Sequence, residues 1–271
     1  MSTTTLHRML QSAGFDSRRR IRRGIADGEF TVNGKTVTDP NFPVEPGRDE
    51  IRFQGRRLKL NAEPLVYFLL NKPRGVVSTL SDPGRRPTIK DLIRGIPERV
   101  YPVGRLDYNS EGLILLTNDG ALMKKVITPS SRVPKQYLVK IRGELSETDR
   151  RRLLEKGVHL EGIRVRPLEI TFIRRTAQGH SWLTITITEG HKHVVRKLLQ
   201  YAGHPVERLR RLAIGSLKLK GIPVGHWREA TEPEIKAFSR ELEAGRKVTG
   251  NRKQETGVGA APSGRPLKRR R

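Results

Sequence analysis

Pro102-Val-Gly-Arg-Leu-Asp-Tyr-Asn-Ser-Glu-Gly-Leu-Ile-Leu-Leu-Thr-Asn-Asp-Gly120 is the stretch on which the reading of this chain turns. Leu113 to Leu116 is a short all-apolar run, which suits a strand buried on both faces. Asn118-Asp-Gly120 then turns the chain. Gly104-Arg-Leu-Asp107 accordingly lies in the loop leading to the interior, a place where carboxylates are normally paired or functional. The chain holds 28 Asp and Glu, and spacing alone does not single out Asp107 among them. On that ground the favoured use of Asp107 is a structural salt bridge with Arg105 or another arginine.

Around this stretch, residues 65 to 238 mix strands and helices without regular alternation. Tyr137 to Ile141 sets Tyr, Val and Ile on one face, and Leu183, Ile185 and Ile187 alternate with threonines, as in strands half buried in an antiparallel sheet. Ser146-Glu-Thr-Asp149 and Thr231-Glu-Pro-Glu234 signal helix starts, the first helix ending at Gly157. Val194, Val195, Leu198, Leu199 and Ala202 form the apolar stripe of another helix, ended by Gly203. Together these predict α+β, with a mixed or antiparallel sheet.

Upstream, Leu6, Met9, Leu10 and Ala13 recur at helical spacing before Gly14. Ser17 caps a second helix to about Gly28, with Ile21 and Ile25 on its buried side. Phe30 to Val32 and Lys35 to Val37 flank Asn33-Gly34, a strong hairpin signal. A strand at Ile51 to Phe53 closes the unit before a polar stretch, Arg56 to Pro64. Downstream of about Ala244 the apolar pattern stops. Residues 246 to 271 contain nine Lys or Arg and one Glu, and are expected to form a disordered basic tail. The expected organisation is a small domain over 1–62, a larger one over 63–243, and the tail over 244–271.

Lys and Arg number 54 in 271 residues, for a net charge of +26. Such an excess calls for a polyanion, nucleic acid first and an anionic membrane surface second. The chain has no cysteine, which excludes disulfide scaffolds, thiolate zinc sites and cysteine nucleophiles. The longest apolar run, Leu65 to Leu70, is far short of the ~20 residues of a spanning helix. With no signal-peptide pattern at the N-terminus, a soluble, cytoplasmic protein is expected.

Arg18, Arg19, Arg22 and Arg23 share one arc of the second helix beside its apolar seam. Arg20 adds a fifth arginine, and no i,i+4 acid partner is expected for the stripe, so phosphate contact is favoured over a merely solvated face. His191 and His193 flank Lys192 with no carboxylate close in sequence. A helix-start or phosphate-facing role is favoured over metal ligation. No Gly-rich nucleotide loop is present in the right context.

Gly104-Arg-Leu-Asp107 followed by Glu111 to Gly120 resembles the signature of RNA pseudouridine synthases of the ribosomal small-subunit synthase A type, the branch that includes the large-subunit synthases B, E and F. The resemblance continues at Asn71-Lys-Pro-Arg-Gly75, Lys135-Gln-Tyr137, Glu189-Gly190 with Val195-Arg-Lys197, Arg208-Leu-x-Arg211 with Gly215, and Gly225-His-Trp-Arg228. Gly14-Phe-Asp-Ser-Arg-Arg19 and Val32-Asn-Gly34 are similar to the S4 RNA-binding domain that precedes the catalytic domain in this branch. The ordered series covers about residues 5 to 238.

The resemblance implies isomerisation of a uridine in ribosomal RNA to pseudouridine, without metal or cofactor. Asp107 matches the family's essential aspartate, Arg196 the basic residue that pairs with it, and Tyr137 the tyrosine that stacks on the base. Arg105 is expected to contact RNA or fill the space of an extruded base. Lys72 and the stripe Arg18, Arg19, Arg22 and Arg23 are the other expected RNA contacts. Val194 departs from the Gln or Glu common before the Val-Arg pair, so contacts at that helix start are expected to differ. Large-subunit RNA, free or within a ribosomal precursor, is the favoured partner of a monomeric bacterial enzyme. The same enzyme acting on small-subunit RNA, or a non-catalytic RNA-binding assembly factor, are the alternatives.

Overall fold

A computed structural model describes residues 3–60 and 64–254. The chain divides into two compact units. The first is Met1–Val66 together with Ile96–Val100; the second takes Tyr67–Gly95 and continues from Tyr101.

In the first unit, helices Leu6–Ser12 and Arg18–Ala26 begin where hydroxyls replace missing backbone partners. Thr5 accepts from the Arg8 amide at 3.4 Å and Ser17 from the Arg20 amide at 3.2 Å. A four-stranded antiparallel sheet follows, in the order Lys35–Val37, Phe30–Val32, Ile51–Phe53, Arg56–Arg57. Asn33 and Gly34 both take positive φ, as a tight hairpin turn requires. The polar stretch after Phe53 proves to contain a second hairpin. Gln54 and Gly55 repeat the left-handed pair, and Arg56–Arg57 adds an edge strand. Leu6, Leu10, Ile21, Ile25, Phe30, Val32 and Ile51 fill the core, where the rings of Phe15, Phe30 and Phe53 lie 4.9–5.4 Å apart.

The second unit is a mixed sheet, α+β as expected. Its strands run in the order Glu169–Arg175, Ser181–Ile187, Lys135–Ile141, Val206–Ile214, Glu111–Thr117, Tyr67–Lys72, Trp227–Glu229. All these neighbours are antiparallel except Val206–Ile214 against Glu111–Thr117, which pair in parallel at Arg210↔Glu111 and Arg211↔Gly112. Gly112 permits that junction. Its φ is +108°, and a Cβ there would overlap the Arg211 carbonyl oxygen. Leu113 to Leu116 are fully buried. Helices Gly120–Ile127 and Glu232–Gln254 contribute Leu122, Val126, Phe238 and Leu242 to the cluster over Leu69, Leu113 and Leu115.

Two local expectations change. Asn118-Asp119-Gly120 does more than turn the chain, because Asp119 accepts from the Ala121 and Leu122 amides at 2.9 Å and so starts a helix. The last helix does not stop near Ala244 but runs on to Gln254. Leu242 is buried near the middle of that helix. The remainder of the expected disordered tail lies outside the described residues.

Candidate active site

The loop carrying Asp107 is held from below by the segment that follows strand Tyr67–Lys72. The Ser78 hydroxyl donates to the Leu106 carbonyl at 2.7 Å and accepts from the Leu106 amide at 3.1 Å. The Gly75 amide donates to Tyr108 O at 2.9 Å. Lys72 is fully buried and its ammonium donates to Pro73 O at 2.7 Å and Ser110 O at 2.8 Å. The Ser110 amide closes the turn on Asp107 O at 2.9 Å. The backbone on both sides of Asp107 is thus anchored, while its side chain keeps 31% of its exposure.

Burial pushes the Lys72 ammonium down to about 8, and the nearby Arg211 pushes the same way. The negative charges of Asp107 and Glu111 work in the opposite direction. Lys72 is therefore a cation set underneath the Asp107 loop. The expectation that it meets RNA is corrected: a fully buried side chain whose ammonium is spent on two loop carbonyls has no access to phosphate.

Helix Val194–Tyr201 forms the facing wall, with Val194, Val195, Leu198 and Leu199 buried. Arg196, on its other side, donates to Val206 O at 3.0 Å and Asn109 O at 3.3 Å. Burial lowers the Arg196 pKa and Asp107 raises it again. Arg196 therefore meets the Asp107 loop through the Asn109 carbonyl and acts on the carboxylate as a nearby charge. The group in contact with the Asp107 carboxylate is instead His193, with Nε2 3.3 Å from Oδ1. Sequence spacing placed His193 at the helix start, where it is, but held no signal for this contact.

Tyr137 is 7% exposed on strand Lys135–Ile141. One row across four strands reads Ile185, Tyr137, Arg211, Gly112, which sets Tyr137 two strands from the start of the strand that Asp107 precedes. Arg211 in the same row is buried and donates to Leu113 O at 2.7 Å. Arg105 is exposed beside the loop.

In the first unit Arg18, Arg19, Arg22 and Arg23 are all exposed. The expectation of an unpartnered stripe is corrected in part. Arg23 meets Asp27 at 3.5 Å in an i,i+4 pair, and Arg20 meets Glu29 at 2.9 Å. The carboxylates sit at and after the helix end, where the chain folds back, so only the last arginine on the face and Arg20 reach them.

Residues 66–201 match the family model described as RNA pseudouridylate synthase, and residues 5–50 match that of the S4 domain. An uncharacterized RNA pseudouridine synthase of Aquifex aeolicus is 38% identical over 236 residues, 87% of this chain and 93% of that protein. The ribosomal large subunit pseudouridine synthase B of Bacillus subtilis is also 38% identical, over 85% of this chain and 93% of its own length. A crystal structure of a pseudouridylate synthase superposes with a TM-score of 0.57 at 26% identity, covering 86% of this chain and 99% of that one. With an anchored, partly exposed aspartate between two cation-bearing walls and an N-terminal S4 domain, the chain belongs to the RNA pseudouridylate synthase family and is an RNA pseudouridine synthase.

Proposed function

We propose that the enzyme converts one uridine of large-subunit ribosomal RNA to pseudouridine, with Asp107 as the catalytic aspartate. The reaction breaks the bond from the ribose to N1 of uracil, turns the base in the site, and rejoins it through C5, whose proton leaves. One observation carries the assignment: Asp107 keeps its carboxylate open to a ligand while its backbone is pinned on both sides. Lys72 and Arg196 set positive charge near the Asp107 carboxylate in a site that a bound nucleotide would shield from water. Tyr137 supplies a ring for the base; its burial leaves only an edge to offer.

Arg105, and Arg18, Arg19 and Arg22 with the outer Arg23, serve as RNA contacts that give affinity without choosing sequence. The name of the Bacillus subtilis relative and the basic C-terminal segment favour large-subunit RNA. A monomer in the cytoplasm, where ribosomal RNA and its precursor particles are met, completes the reading. Among the described residues no helix is long and apolar enough to cross a membrane.

The test is tritium release from ribosomal RNA labelled at C5 of uridine, with large- and small-subunit transcripts and precursor particles run separately. Release from large-subunit RNA alone, lost in Asp107→Asn while RNA binding persists, is expected. Release from small-subunit RNA would move the target. No release from any substrate, with tight binding intact, would leave an RNA-binding assembly factor.

A further inference from the structure

Three features of His193 are at odds with its place in the chain. It is the N-cap of helix Val194–Tyr201, yet its side chain makes no capping hydrogen bond. N-caps are normally Ser, Thr, Asp or Asn because those side chains reach the free amides. Its backbone is left-handed, φ 58° and ψ 22°, a region that costs a residue with a Cβ on the order of 1 kcal/mol and that glycine enters freely. The imidazole remains 42% exposed, so packing does not hold it either. It lies instead against Asp107, with Nε2 3.3 Å from Oδ1. Broken local rules of this kind concentrate where a site needs them.

We propose that His193 is a positioning residue for the Asp107 carboxylate: the left-handed N-cap turns the imidazole toward the loop, and its Nε2 holds Oδ1 so that Oδ2 faces the uridine. Charge alone does not explain the arrangement. Lys72 lies beneath the loop, Arg196 bonds to it through Asn109, and Arg74 adds a third positive charge near Arg196. Lys192 adjoins His193 in sequence, and Lys197, further along the helix, is already paired with Glu161. Cations are plentiful on every side. Among the described residues none of these cations is in contact with the carboxylate itself, whereas the His193 imidazole is, and a contact there limits the rotation of the side chain. A carboxylate pinned only through its backbone can still turn about its side-chain bonds, and misplacement by about 1 Å can cost up to about 100-fold in rate.

The inference rests on Asp107 being the catalytic carboxylate. The experiment measures single-turnover rate and KM on the same labelled RNA for wild type, His193→Gly, His193→Gln and Asp107→Asn. Glycine suits the left-handed backbone, so His193→Gly keeps the fold and removes only the donor. We expect kcat to fall about tenfold with KM within about twofold, and thermal stability to be unchanged or higher. Glutamine restores an N–H at a similar reach, so His193→Gln is expected to recover most of the rate despite the strained backbone. Wild-type kcat in His193→Gly, a loss confined to KM, or no recovery with glutamine overturns the proposal. An active Asp107→Asn takes down the Asp107 assignment and this inference together. An inactive Asp107→Asn beside a fully active His193→Gly takes down only this one.

Discussion

The arginine helix of the first unit and the floor of the Asp107 loop use the same charge in opposite ways. On helix Arg18–Ala26 the arginines stand in solvent, and the carboxylates that reach them bind Arg20 and Arg23. Under the Asp107 loop Lys72 and Arg211 are buried; the Lys72 ammonium donates to two backbone carbonyls and Arg211 Nε to Leu113 O, while Arg211 Nη2 is buried without a protein partner among the described residues. An exposed cation exchanges water for phosphate at little structural cost, so it contributes to affinity. A buried cation has lost its hydration and draws its hydrogen bonds from the fold, so it contributes to shape. A net charge of +26 thus conceals two populations, one open to solvent and one built into the fold.

The contrast breaks most sharply at Lys72. Lys72→Met leaves the Pro73 and Ser110 carbonyls without their donor, and is expected to cost about 3 kcal/mol in urea unfolding, with turnover lost as the loop shifts. A pH series sharpens the same point. Lys72 sits at about 8 in the native state against an ordinary 10.5, so between these values the unfolded chain holds a proton that the native one has released. Stability contributed by this residue therefore rises with pH across that window. The variant should lack that rise; identical slopes in both proteins would show Lys72 to be hydrated.

Arg228 and Glu234, on either side of the last helix's start, are an intermediate case. They form a two-pronged pair at 2.7 and 2.8 Å, about one-third exposed, and Glu234 also accepts from the Thr231 amide. The pair holds the Glu234 carboxyl down to about 2 from 4.5. Its stabilisation is complete above pH 4.5 and lost as pH falls through 2. Glu234→Gln is expected to cost about 1–2 kcal/mol at neutral pH, after allowance for solvent screening. That deficit should vanish in thermal melts as the pH approaches 2; a deficit constant with pH would assign it to packing.

The smallest effect belongs to the exposed end. Arg22→Ala is expected to leave thermal stability unchanged and to weaken RNA binding by less than about 1 kcal/mol, with the slope of log affinity against log salt reduced by about 1. Filter binding at several salt concentrations reads both. A melting temperature lowered by several degrees would place Arg22 with the structural cations instead.

Much of this molecule was legible before any coordinates. Ser17, Ser146 and Thr231 announce helix starts because a capping hydroxyl acts within three residues of itself. Asn33-Gly34 announces a hairpin because the left-handed turn is a property of those two residues. Leu113 to Leu116 announces a buried strand through its hydropathy. Gln54-Gly55 gives no such signal, because the strand it opens is two arginines long, with no apolar pattern to mark it.

The motifs name candidate members of the site but not its wiring. Asp107, Tyr137 and Arg196 were named from the motifs around them, and the structure sets the first and last against one another through Asn109. Which cation lies under the loop and which faces water, and that His193 rather than Arg196 touches Asp107, could not be read. Local order in this chain follows from forces that act within a turn or two, and the sequence by itself determined it: caps, hairpins, apolar strands, and a charge demanding a polyanion. Only the tertiary structure decided the parallel junction at Gly112, the burial of Lys72 and the contact at His193. Each joins residues tens of positions apart, and the solvation of a charged side chain depends on what the rest of the chain packs over it.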